Sequence, residues 1–457
     1  MLAAIHIEEV LSRYPSSRVY WIAYSGGLDS TVLLHLCTGL KIPGVDRLFK
    51  AIHVHHGLHP LADTWVAHCE DECRTLGIEL HIHHVDAQPA PGQSPEEAAR
   101  KARYRAIQHQ IEPGDTVLLA QHQDDQAETL LLQLLRGAGL AGLAAMPVHA
   151  PLLSGYVLRP LLYVSRSTLR EFAKTKGLNW VEDSSNLDPG FQRNFLRNTI
   201  LPELQTHWPG LARALSRTAR HCAEAVELLD SSAAKLLKDA RRPPDNALNT
   251  NVLSNLVPGE QKLLIRAWLK DSEYRMSSAA VLDRILEHCL GAGPDRNPIV
   301  RWTEGEVRRY REHLFLLPPL PRFLATTEVR WPKEEERLVL PGGNGELIME
   351  TVPEGGIPLI RWQASIRTIR YRQGGEKIRL PGRAGTHQLR KLFQEAGIPP
   401  WIRERIPLIY LDDQLAAVGG YWLAADIVTP AGQMPGLLPR WCPPAYMLAP
   451  LCQAARR

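Results

Sequence analysis

A short glycine loop, Ser25-Gly26-Gly27-Leu28-Asp29-Ser30, constrains the fold of this chain more than any other segment. The apolar run before it, residues 18–24, predicts a short buried strand, and the apolar residues of 29–40 recur at helical spacing. Glycines let a backbone approach a ligand closely, and the N-terminus of a helix presents unpaired N–H groups to an anion. The segment therefore predicts a phosphate-binding loop between a strand and a helix.

The polar residues of this loop suit a nucleotide bound together with a metal ion. Ser25 and Ser30 supply hydroxyl donors, and the Asp29 carboxylate can hold a magnesium ion that bridges phosphates. The loop lacks the Gly-Lys-Ser/Thr ending of the Walker sequence, so it is a different class of phosphate-binding loop. The alternative interpretation is an ordinary strand–turn–helix in which Asp29 or Ser30 caps the helix.

Strands and helices alternate through the first two hundred residues. Further strands are predicted at 48–54, 78–85 and 116–121, and helices are predicted at 61–76, 95–111 and 125–136. Such alternation favours a parallel sheet covered by helices on both faces, which binds ligands at the carboxyl ends of its strands. We therefore expect an α/β catalytic domain over residues 1–205.

Histidines follow the second strand, and arginines lie on the helix after the third. His53 and His56 stand where imidazoles can contact a nucleotide or assist proton transfer. Arg100 and Arg103 are three residues apart, so they share a helical face that can hold a phosphate. The alternatives are surface histidines at a turn around Gly57 and arginines paired with neighbouring glutamates.

A pair of carboxylates begins the helix after the fourth strand. Asp125 and Glu128 are three residues apart, so their side chains share a face and can hold an ammonium group or accept its proton. The alternative is a capping box, with Asp125 as the N-cap and Glu128 as the third helical residue. Arg193 and Arg197 lie one turn apart if their segment is helical, and the alternative there is an interdomain turn held by salt bridges.

The pattern changes after Pro202. Apolar residues at helical spacing predict a long helix over 211–236 and shorter helices at 259–269 and 277–290. We therefore expect a small helical domain over residues 206–320.

The last third of the chain differs again. Residues 321–365 are rich in proline, glycine and short β-like runs, which predicts a linker or β segment. A mixed α+β domain is expected over 366–457, with a helix at 386–396. Three cations flank this helix after a glycine-rich turn and are candidates for phosphate contact: Arg383, Arg390 and Lys391.

Charge and composition narrow the class of protein. The net charge of +4 is too mild to prove a nucleic-acid partner, but residues 361–405 hold eleven basic and three acidic side chains interleaved with aromatics. That mixture suits phosphate contact and base stacking, and the alternative is a solvated surface over core aromatics. Seven cysteines without a C-x-x-C pair argue for reduced thiols and against a zinc or iron–sulfur site. Without a membrane-length apolar run or a signal pattern, we expect a cytoplasmic protein with no membrane partner.

The order of the motifs carries a resemblance to a known family. The loop after the first strand resembles that of the PP-loop ATP pyrophosphatase superfamily, whose members adenylylate a substrate oxygen with ATP and release pyrophosphate. The motifs that follow resemble those of the tRNA(Ile)-lysidine synthetases: H-H-G-L, A-R-x-x-R-Y, H-x-x-D-D-Q-A-E-T, Arg159-Pro160-Leu161 and E-D-S-S-N-x-D followed by R-N-F-L-R. The run from Leu389 to Trp401 and the segment Arg405-Ile406-Pro407-Leu408 resemble the C-terminal domain of that family.

The resemblance implies a fold and a reaction. The first domain would have a parallel-sheet fold like the adenine nucleotide α-hydrolases, followed by helical and α+β tRNA-binding domains. The enzyme would be a ligase that uses ATP, Mg²⁺ and free L-lysine to convert the wobble cytidine of an isoleucine tRNA with a CAU anticodon into lysidine. The cytidine would first be adenylylated, AMP and pyrophosphate would be released, and codon reading would change from AUG to AUA.

The resemblance also assigns residues. The catalytic residues would be Asp29, Asp125, Glu128, Arg103 and Arg193. The ATP-binding residues would be Ser25, Gly26, Gly27, Leu28, Asp29, Ser30, His53 and His56, with Asp29 holding the Mg²⁺. Asp125 and Glu128 would bind lysine, and the tRNA would contact Arg197, Arg383, Arg390 and Lys391.

Two other functions remain open at this point. A PP-loop tRNA thiolase needs a sulfur-carrying cysteine or a metal–sulfur centre near the loop, and here Cys37 falls inside an apolar helix. A catalytically inactive RNA-binding homologue would not need the intact Ser25, Asp29, Asp125 and Glu128. The sequence leaves the oligomeric state undetermined, a homodimer included.

Overall fold

The computed structural model describes residues 2–40, 47–57, 60–89, 95–183, 190, 192–243, 246–274, 278–293, 296–321, 323–428, 435–444 and 447. Leu58 and residues 184–188, which belong to the motifs above, lie outside the described residues. The chain divides into two compact units, residues 1–228 and 229–457.

The first unit is built on a six-stranded sheet with the order β3-β2-β1-β4-β6-β5. Its strands are β1 (Tyr20–Ala23), β2 (Phe49–His55), β3 (Leu80–His84), β4 (Thr116–Leu118), β5 (His149–Leu152) and β6 (Gly155–Leu158). All of them pair in parallel except β5, which forms an antiparallel hairpin with β6 at the edge. The predicted parallel sheet is confirmed, and β5 is the exception because so short a connection cannot join parallel strands.

Helices cover this sheet as the alternation predicts. They are α1 (Ala4–Leu11), α2 (Leu28–Thr38), α3 (Ala62–Leu76), α4 (Pro95–Gln110), α5 (Gln123–Leu135), α6 (Leu140–Leu143) and α7 (Arg166–Lys176). The four helices predicted between residues 29 and 136 are confirmed to within two residues at each end. Ile22 of β1 and Val32 and Leu33 of α2 are fully buried in the core that the sheet and helices share.

The strand order positions the site. The chain leaves β1 toward β2 on one side, whereas β4 pairs with β1 on the other side. In such a sheet a crevice opens beyond the carboxyl ends of the two strands where the order reverses. The loop after β1 and the loop after β4 therefore lie side by side.

The first unit ends in a helical segment that runs into the second. It consists of α8 (Gln192–Phe195), a π-helical turn (Leu196–Ile200), α9 (Leu201–His207) and α10 (Leu211–Ala240). The prediction of a long helix over 211–236 is confirmed, and the helix extends four residues further.

The region predicted to be helical, 206–320, also contains a sheet. Its helices are α11 (Thr250–Ser254), α12 (Pro258–Asp271) and α13 (Ala279–Arg284), which continues as a π-helical turn (Ile285–Leu290). Its antiparallel strands are β7 (Arg241–Arg242), β8 (Ala247–Asn249), β9 (Ile299–Arg301), β10 (Glu306–Tyr310) and β11 (His313–Leu317), in the order β7-β8-β11-β10-β9. The sequence pattern missed this sheet because β10 buries two charged residues, Glu306 and Arg308, whose side chains bond to each other at 2.6 Å.

The remainder of the second unit is mostly β structure. Its elements are β12 (Val329–Arg330), β13 (Arg337–Val339), a 3₁₀ turn (Pro341–Gly343), β14 (Glu346–Val352), β15 (Ile357–Pro358), α14 (Leu359–Ala364), β16 (Arg367–Arg370), β17 (Lys377–Arg379), β18 (Thr386–Gln388), α15 (Leu389–Glu395), α16 (Pro400–Arg403), β19 (Leu408–Leu411), β20 (Gln414–Val418), β21 (Trp422–Leu423) and β22 (Gly436–Cys442). They form three sheets, ordered β12-β16-β19-β20-β21, β13-β14-β22-β15 and β17-β18. The helix predicted at 386–396 begins three residues late, because β18 pairs with β17 instead.

One core runs through much of this unit. Phe315 and Leu317 of β11 belong to the same buried cluster as Trp331, Phe393 and Trp441. Residues on both sides of position 320 therefore fold around shared apolar side chains.

Candidate active site

The glycine loop after β1 has the geometry of an anion-binding turn. Gly26 has a φ of +79°, and Gly27 is the N-cap of α2 without a side-chain cap. The Ser30 hydroxyl donates to the Gly27 carbonyl at 3.0 Å and lies 3.1 Å from the Ser25 hydroxyl. The backbone N–H of Ser25 donates back to Ser30 Oγ at 3.2 Å. These bonds fix the loop, and the first N–H groups of α2 remain for an anion.

Packing behind the loop requires glycine at position 26. A Cβ atom there would lie 3.0 Å from Cys69 Sγ and 3.7 Å from Val181 Cγ2. The N–H of Val181 donates to the Gly26 carbonyl at 2.9 Å, which ties the segment after α7 to the loop. Cys69 is fully buried, and burial raises the pKa of its thiol to about 12. Its role here is packing, since a thiol is a poor nucleophile.

Asp29 has one carboxylate oxygen with a partner and one without. Its Oδ2 lies 3.4 Å from His122 Nε2, whereas its Oδ1 is buried without a hydrogen-bond partner. A buried polar atom without a hydrogen-bond partner destabilises the fold unless a ligand or ion binds it. Mg²⁺ is usually held by one or two carboxylates together with phosphates. In the described part of the chain no three His, Cys, Asp or Glu side chains are grouped to hold a metal ion.

His122 connects the two loops that meet beyond β1 and β4. It is 1% exposed, and its Nδ1 accepts the N–H of Asp124 at 3.2 Å. Its Nε2 lies 3.4 Å from Asp29 Oδ2 and 3.4 Å from Asp125 Oδ2. His122 was not among the predicted site residues, although it directly follows a predicted strand and precedes an acidic residue by three positions, a spacing typical of a capping box.

A capping box, the alternative interpretation at this helix, is present but begins three residues earlier than that interpretation placed it. His122 is the N-cap of α5, and its N–H donates to Asp125 Oδ2 at 3.0 Å. The version with Asp125 as the N-cap and Glu128 as the third residue is wrong, because the helix begins at Gln123. Glu128 has no capping role, yet its side chain is 1% exposed.

Asp125 and Glu128 do share a face, and two arginines bind it. Arg193 Nε donates to Glu128 Oε2 at 2.7 Å, and Arg197 Nε donates to Glu128 Oε1 at 2.6 Å. The Nη2 groups of Arg193 and Arg197 reach Asp125 Oδ1 at 3.3 and 2.8 Å. We call these four residues the carboxylate–arginine cluster. Arg193 of α8 and Arg197 of the π-helical turn lie one turn apart, as predicted for a helical segment.

Burial and charge act in opposite directions on the ionisable groups of this site. Burial alone would raise the pKa of Asp125, but His122, Arg193 and Arg197 outweigh it and hold that pKa below its ordinary value. Burial alone would lower the pKa of His122, but Asp125 and Asp29 outweigh it and raise that pKa. The pKa of Arg197 is raised because its bonds to Glu128 exceed the effect of burial. Both shifts within the cluster, downward for Asp125 and upward for Arg197, favour the charged forms of these two side chains.

The predicted ATP-binding histidines lie at the end of β2. His53 is buried, and its Nδ1 donates to the Tyr24 carbonyl at 2.9 Å, so it supports the backbone just before the glycine loop. Burial is the main cause that lowers the pKa of His53. Burial, together with the charge of Arg103, lowers the pKa of His56 to about 4. Arg103 is exposed on α4.

The predicted tRNA-binding cations fall in two places. Arg197 belongs to the carboxylate–arginine cluster, so its contact with tRNA stays a prediction. Arg383, Arg390 and Lys391 are exposed residues of the second unit. Arg383 pairs with Glu395 at 3.0 Å, whereas Arg390 and Lys391 form no ion pair with the residues that the structure describes.

Comparison with known proteins shows the family of the chain. Residues 2–204 match the family model of a PP-loop domain, 248–315 that of a TilS substrate binding domain, and 368–436 that of a TilS substrate C-terminal domain. A tRNA(Ile)-lysidine synthase from Methylococcus capsulatus is 44% identical over 433 residues, which covers 94% of this chain and 97% of the relative. The chain belongs to the tRNA(Ile)-lysidine synthase family. The resemblance stated from the motifs is confirmed.

Other members of the tRNA(Ile)-lysidine synthase family match over similar lengths. The protein of that name from Coxiella burnetii is 41% identical, with 89% of this chain and 89% of the relative covered. The one from Pseudomonas aeruginosa is 42% identical, with 90% and 91% covered. A solved U34-tRNA thiolase from Methanococcus maripaludis is 18% identical over 48% of this chain and 78% of its own, with a TM-score of 0.40, which is too weak to carry an argument. Among the described residues, no helix is long and apolar enough to span a membrane.

Proposed function

We propose that this chain joins L-lysine to the wobble cytidine of an isoleucine tRNA with a CAU anticodon, using ATP and forming lysidine. The observation that carries the proposal is the imidazole of His122, which lies within 3.4 Å of both Asp29 and Asp125. Activation by ATP and attack by an amine need one shared site. Asp29, which suits the ATP step, and Asp125, which suits the lysine step, are linked through His122.

The reaction has two steps, and in each step one bond forms while another breaks. The oxygen on C2 of cytosine attacks the α-phosphorus of ATP, and pyrophosphate leaves. The departing phosphates suit the first N–H groups of α2 and the hydroxyls of Ser25 and Ser30. The neutral side-chain amine of lysine then attacks C2 and loses a proton, and AMP leaves with the oxygen that was bound to C2. The cytosine must leave its stack to reach the site, which costs on the order of a few kcal/mol.

Asp29 is the residue that would hold Mg²⁺. Its buried Oδ1 has no hydrogen-bond partner, and it begins the helix that follows the phosphate loop. A bound Mg²⁺ supplies positive charge that offsets the charge of the phosphates.

Asp125 and Glu128 are the residues proposed to bind the lysine ammonium. Two guanidinium groups already neutralise them, so an incoming ammonium group must displace one of these groups. A displaced Arg193 or Arg197 then becomes available to the phosphates or to the activated base. Arg103 is proposed to act on the same reactants from α4.

The domains expected from the sequence give the proposed division of labour. Residues 1–205 carry out the chemistry, and residues 206–320 and 366–457 bind the tRNA. Residues 321–365 connect the two binding regions, and Arg383, Arg390 and Lys391 are proposed to contact phosphates of the tRNA. We also propose a cytoplasmic location, which fits an enzyme that modifies tRNA.

A single assay separates this function from its alternatives. The purified chain is incubated with ATP, Mg²⁺, lysine and a CAU isoleucine tRNA, and pyrophosphate, AMP and the mass of the modified cytidine are measured. Lysine-dependent AMP release and a cytidine heavier by one lysine less one water support the proposal. Binding of the tRNA without pyrophosphate release would indicate an inactive homologue. A cytidine that gains sulfur from a sulfide donor would indicate a thiolase, which the buried thiols of Cys37 and Cys69 disfavour.

A further inference from the structure

Arg159 begins the Arg159-Pro160-Leu161 motif, to which the reaction as described assigns no role. It directly follows β6, which pairs in parallel with β4, so it lies at the same edge of the sheet as the loop that carries His122. Arg159 is only 8% exposed. In the part of the chain that the structure describes, no carboxylate forms an ion pair with it.

Neutral groups surround this buried guanidinium. Its Nε donates to Gln121 Oε1, and its Nη1 donates to the Pro147 carbonyl at 2.8 Å. Burial lowers the pKa of Arg159, and the interaction with the Tyr104 hydroxyl opposes this effect only in part. Buried charges are normally paired with opposite charges, because their desolvation is costly. A cation kept here at that cost indicates a function beyond packing.

The segment that begins at Arg159 runs alongside the loop that carries His122. Gln121 accepts the bond from Arg159, and the N–H of Gln123 donates to the Val164 carbonyl at 2.9 Å. His122 thus lies between two residues that are bound to this segment, one on each side. Because the His122 ring is 1% exposed and enclosed, a shift of this backbone moves the ring with it.

The second acceptor of Arg159 belongs to a turn that is also bound to α5. Gln126 Nε2 donates to the Met146 carbonyl at 2.9 Å, and the N–H of Met146 donates to Gln126 Oε1 at 2.9 Å. Pro147 follows Met146, so Arg159 joins this turn to Gln121. A planar guanidinium presents its donors in fixed directions, so it sets how far apart the two acceptors lie.

We propose that Arg159 is a positioning residue for the reaction and acts on His122 through Gln121. The His122 ring lies within 3.4 Å of both Asp29 and Asp125, and the bond from Arg159 keeps it there. Groups that serve two steps of one reaction must be held in a precise arrangement. The inference rests on the proposed function, because it takes the ring as the link between the ATP step and the lysine step.

Two variants break the bond between Arg159 and Gln121 from opposite sides. Arg159→Lys keeps a basic group but replaces the planar fork with a single point of contact, and Gln121→Met keeps the length of the side chain but has no oxygen. Each variant should lower kcat for lysine-dependent AMP release about ten- to a hundredfold, since a displacement of about 1 Å can cost about a hundredfold. The KM values for ATP and lysine should change little, because the residues proposed to bind them remain. Wild-type kcat in either variant would overturn the proposal.

Double variants show whether the effect passes through His122. His122→Asn keeps the cap of α5, because an asparagine oxygen can accept the N–H of Asp124, but it lacks the Nε2 atom that lies near the two carboxylates. Independent substitutions multiply their effects to within about a factor of two. In the His122→Asn protein, Arg159→Lys should therefore lower kcat no further. Arg159→Lys combined with Gln121→Met should likewise lose no more than either alone, and multiplied losses in these double variants would overturn the proposal.

The matched control is Arg47→Lys, the same substitution at another buried arginine of the first unit. Arg47 precedes β2 at the opposite edge of the sheet, and it binds Glu8 and the Tyr20 hydroxyl. This variant should open the first unit more readily in hydrogen exchange but keep the wild-type kcat. A loss of kcat equal to that of Arg159→Lys would overturn the proposal, because general destabilisation would then explain both.

Lysidine formation by the wild type reports separately on the proposed function. A wild type that forms lysidine, together with an Arg159→Lys variant of unchanged kcat, would refute the positioning role alone.

Discussion

Replacing Glu128 with glutamine tests the carboxylate–arginine cluster most directly. The wild-type carboxylate accepts hydrogen bonds at 2.7 Å from Arg193 Nε and at 2.6 and 3.0 Å from Arg197 Nε and Nη2. The glutamine oxygen can accept from one guanidinium, but its NH₂ group then faces the other. Glu128→Gln therefore removes a buried negative charge and at least one strong bond while it keeps the shape of the side chain.

The size of the effect follows from burial. Breaking a buried ion pair by removing one partner costs about 3–5 kcal/mol. Glu128 is 1% exposed, but the two arginines are 22–23% exposed and keep Asp125 as a partner. We therefore expect the lower end, about 3 kcal/mol. We also expect a higher lysine concentration for half-maximal rate and little change in ATP binding.

Hydrogen exchange measures the stability of the unit that contains α5, and steady-state kinetics measure how the rate depends on lysine concentration. Amide exchange in peptides that span α5 reports opening of this unit without assuming that the whole chain unfolds in one step. Asp124→Asn is the matched control, because Asp124 lies on the same helix but outside the carboxylate–arginine cluster. Its Oδ2 accepts the N–H of Arg166 at 2.9 Å and lies 3.6 Å from His122 Nδ1. If Glu128→Gln matches this control in both exchange and lysine dependence, the cluster neither stabilises the helix nor binds lysine.

Four further predictions concern the rest of the site and the second unit. Asp29→Ala should abolish pyrophosphate release and leave tRNA affinity unchanged; turnover at the wild-type rate would contradict its assignment. Gly26→Ala should weaken ATP binding and cost about 1–3 kcal/mol of stability, since alanine is strained at a φ of +79°, and calorimetric titration with ATP checks this. His56 has a pKa of about 4, below its unfolded value, so its contribution to stability is present above about pH 6.5 and is lost as pH falls; His56→Gln should reduce that loss in thermal unfolding measured from pH 7 to 4. Arg390→Ala and Lys391→Ala should each lower the salt slope of tRNA binding by about one, and wild-type slopes would exclude phosphate contact there.

The first unit could be predicted largely from the sequence because its signals are local. An apolar run, a glycine loop and a helical period follow one another within about twenty residues around Ser25–Ser30, so each element is visible without knowledge of its neighbours. The second unit depends on pairing between distant segments. The strand Thr386–Gln388 looks like the start of a helix until its partner Lys377–Arg379 is known.

The candidate site was likewise predicted from the sequence only where its signals are local. The acidic pair Asp125 and Glu128 is visible as a spacing, and its common face was predicted. The arginines that bind this pair lie 65 to 72 residues further along the chain, and no local pattern indicates which charges will meet. His122 was missed because a histidine at a helix start has an ordinary capping role, and only the fold brings Asp29 within reach of the same ring.

The pairing of β14 with β22 determines what late nonsense mutations in the gene would do to the protein. Residues Glu346–Val352 of β14 pair with Gly436–Cys442 of β22 at seven positions, and β22 carries the buried Trp441. A stop codon at position 436 would spare every residue assigned to the reaction, yet it would leave β14 without this neighbour and uncover its apolar side chains. Such an exposed edge invites aggregation and proteolysis. Late nonsense mutations should therefore act by lowering the amount of enzyme in the cell, and the loss should be visible in protein abundance before any kinetic constant is measured.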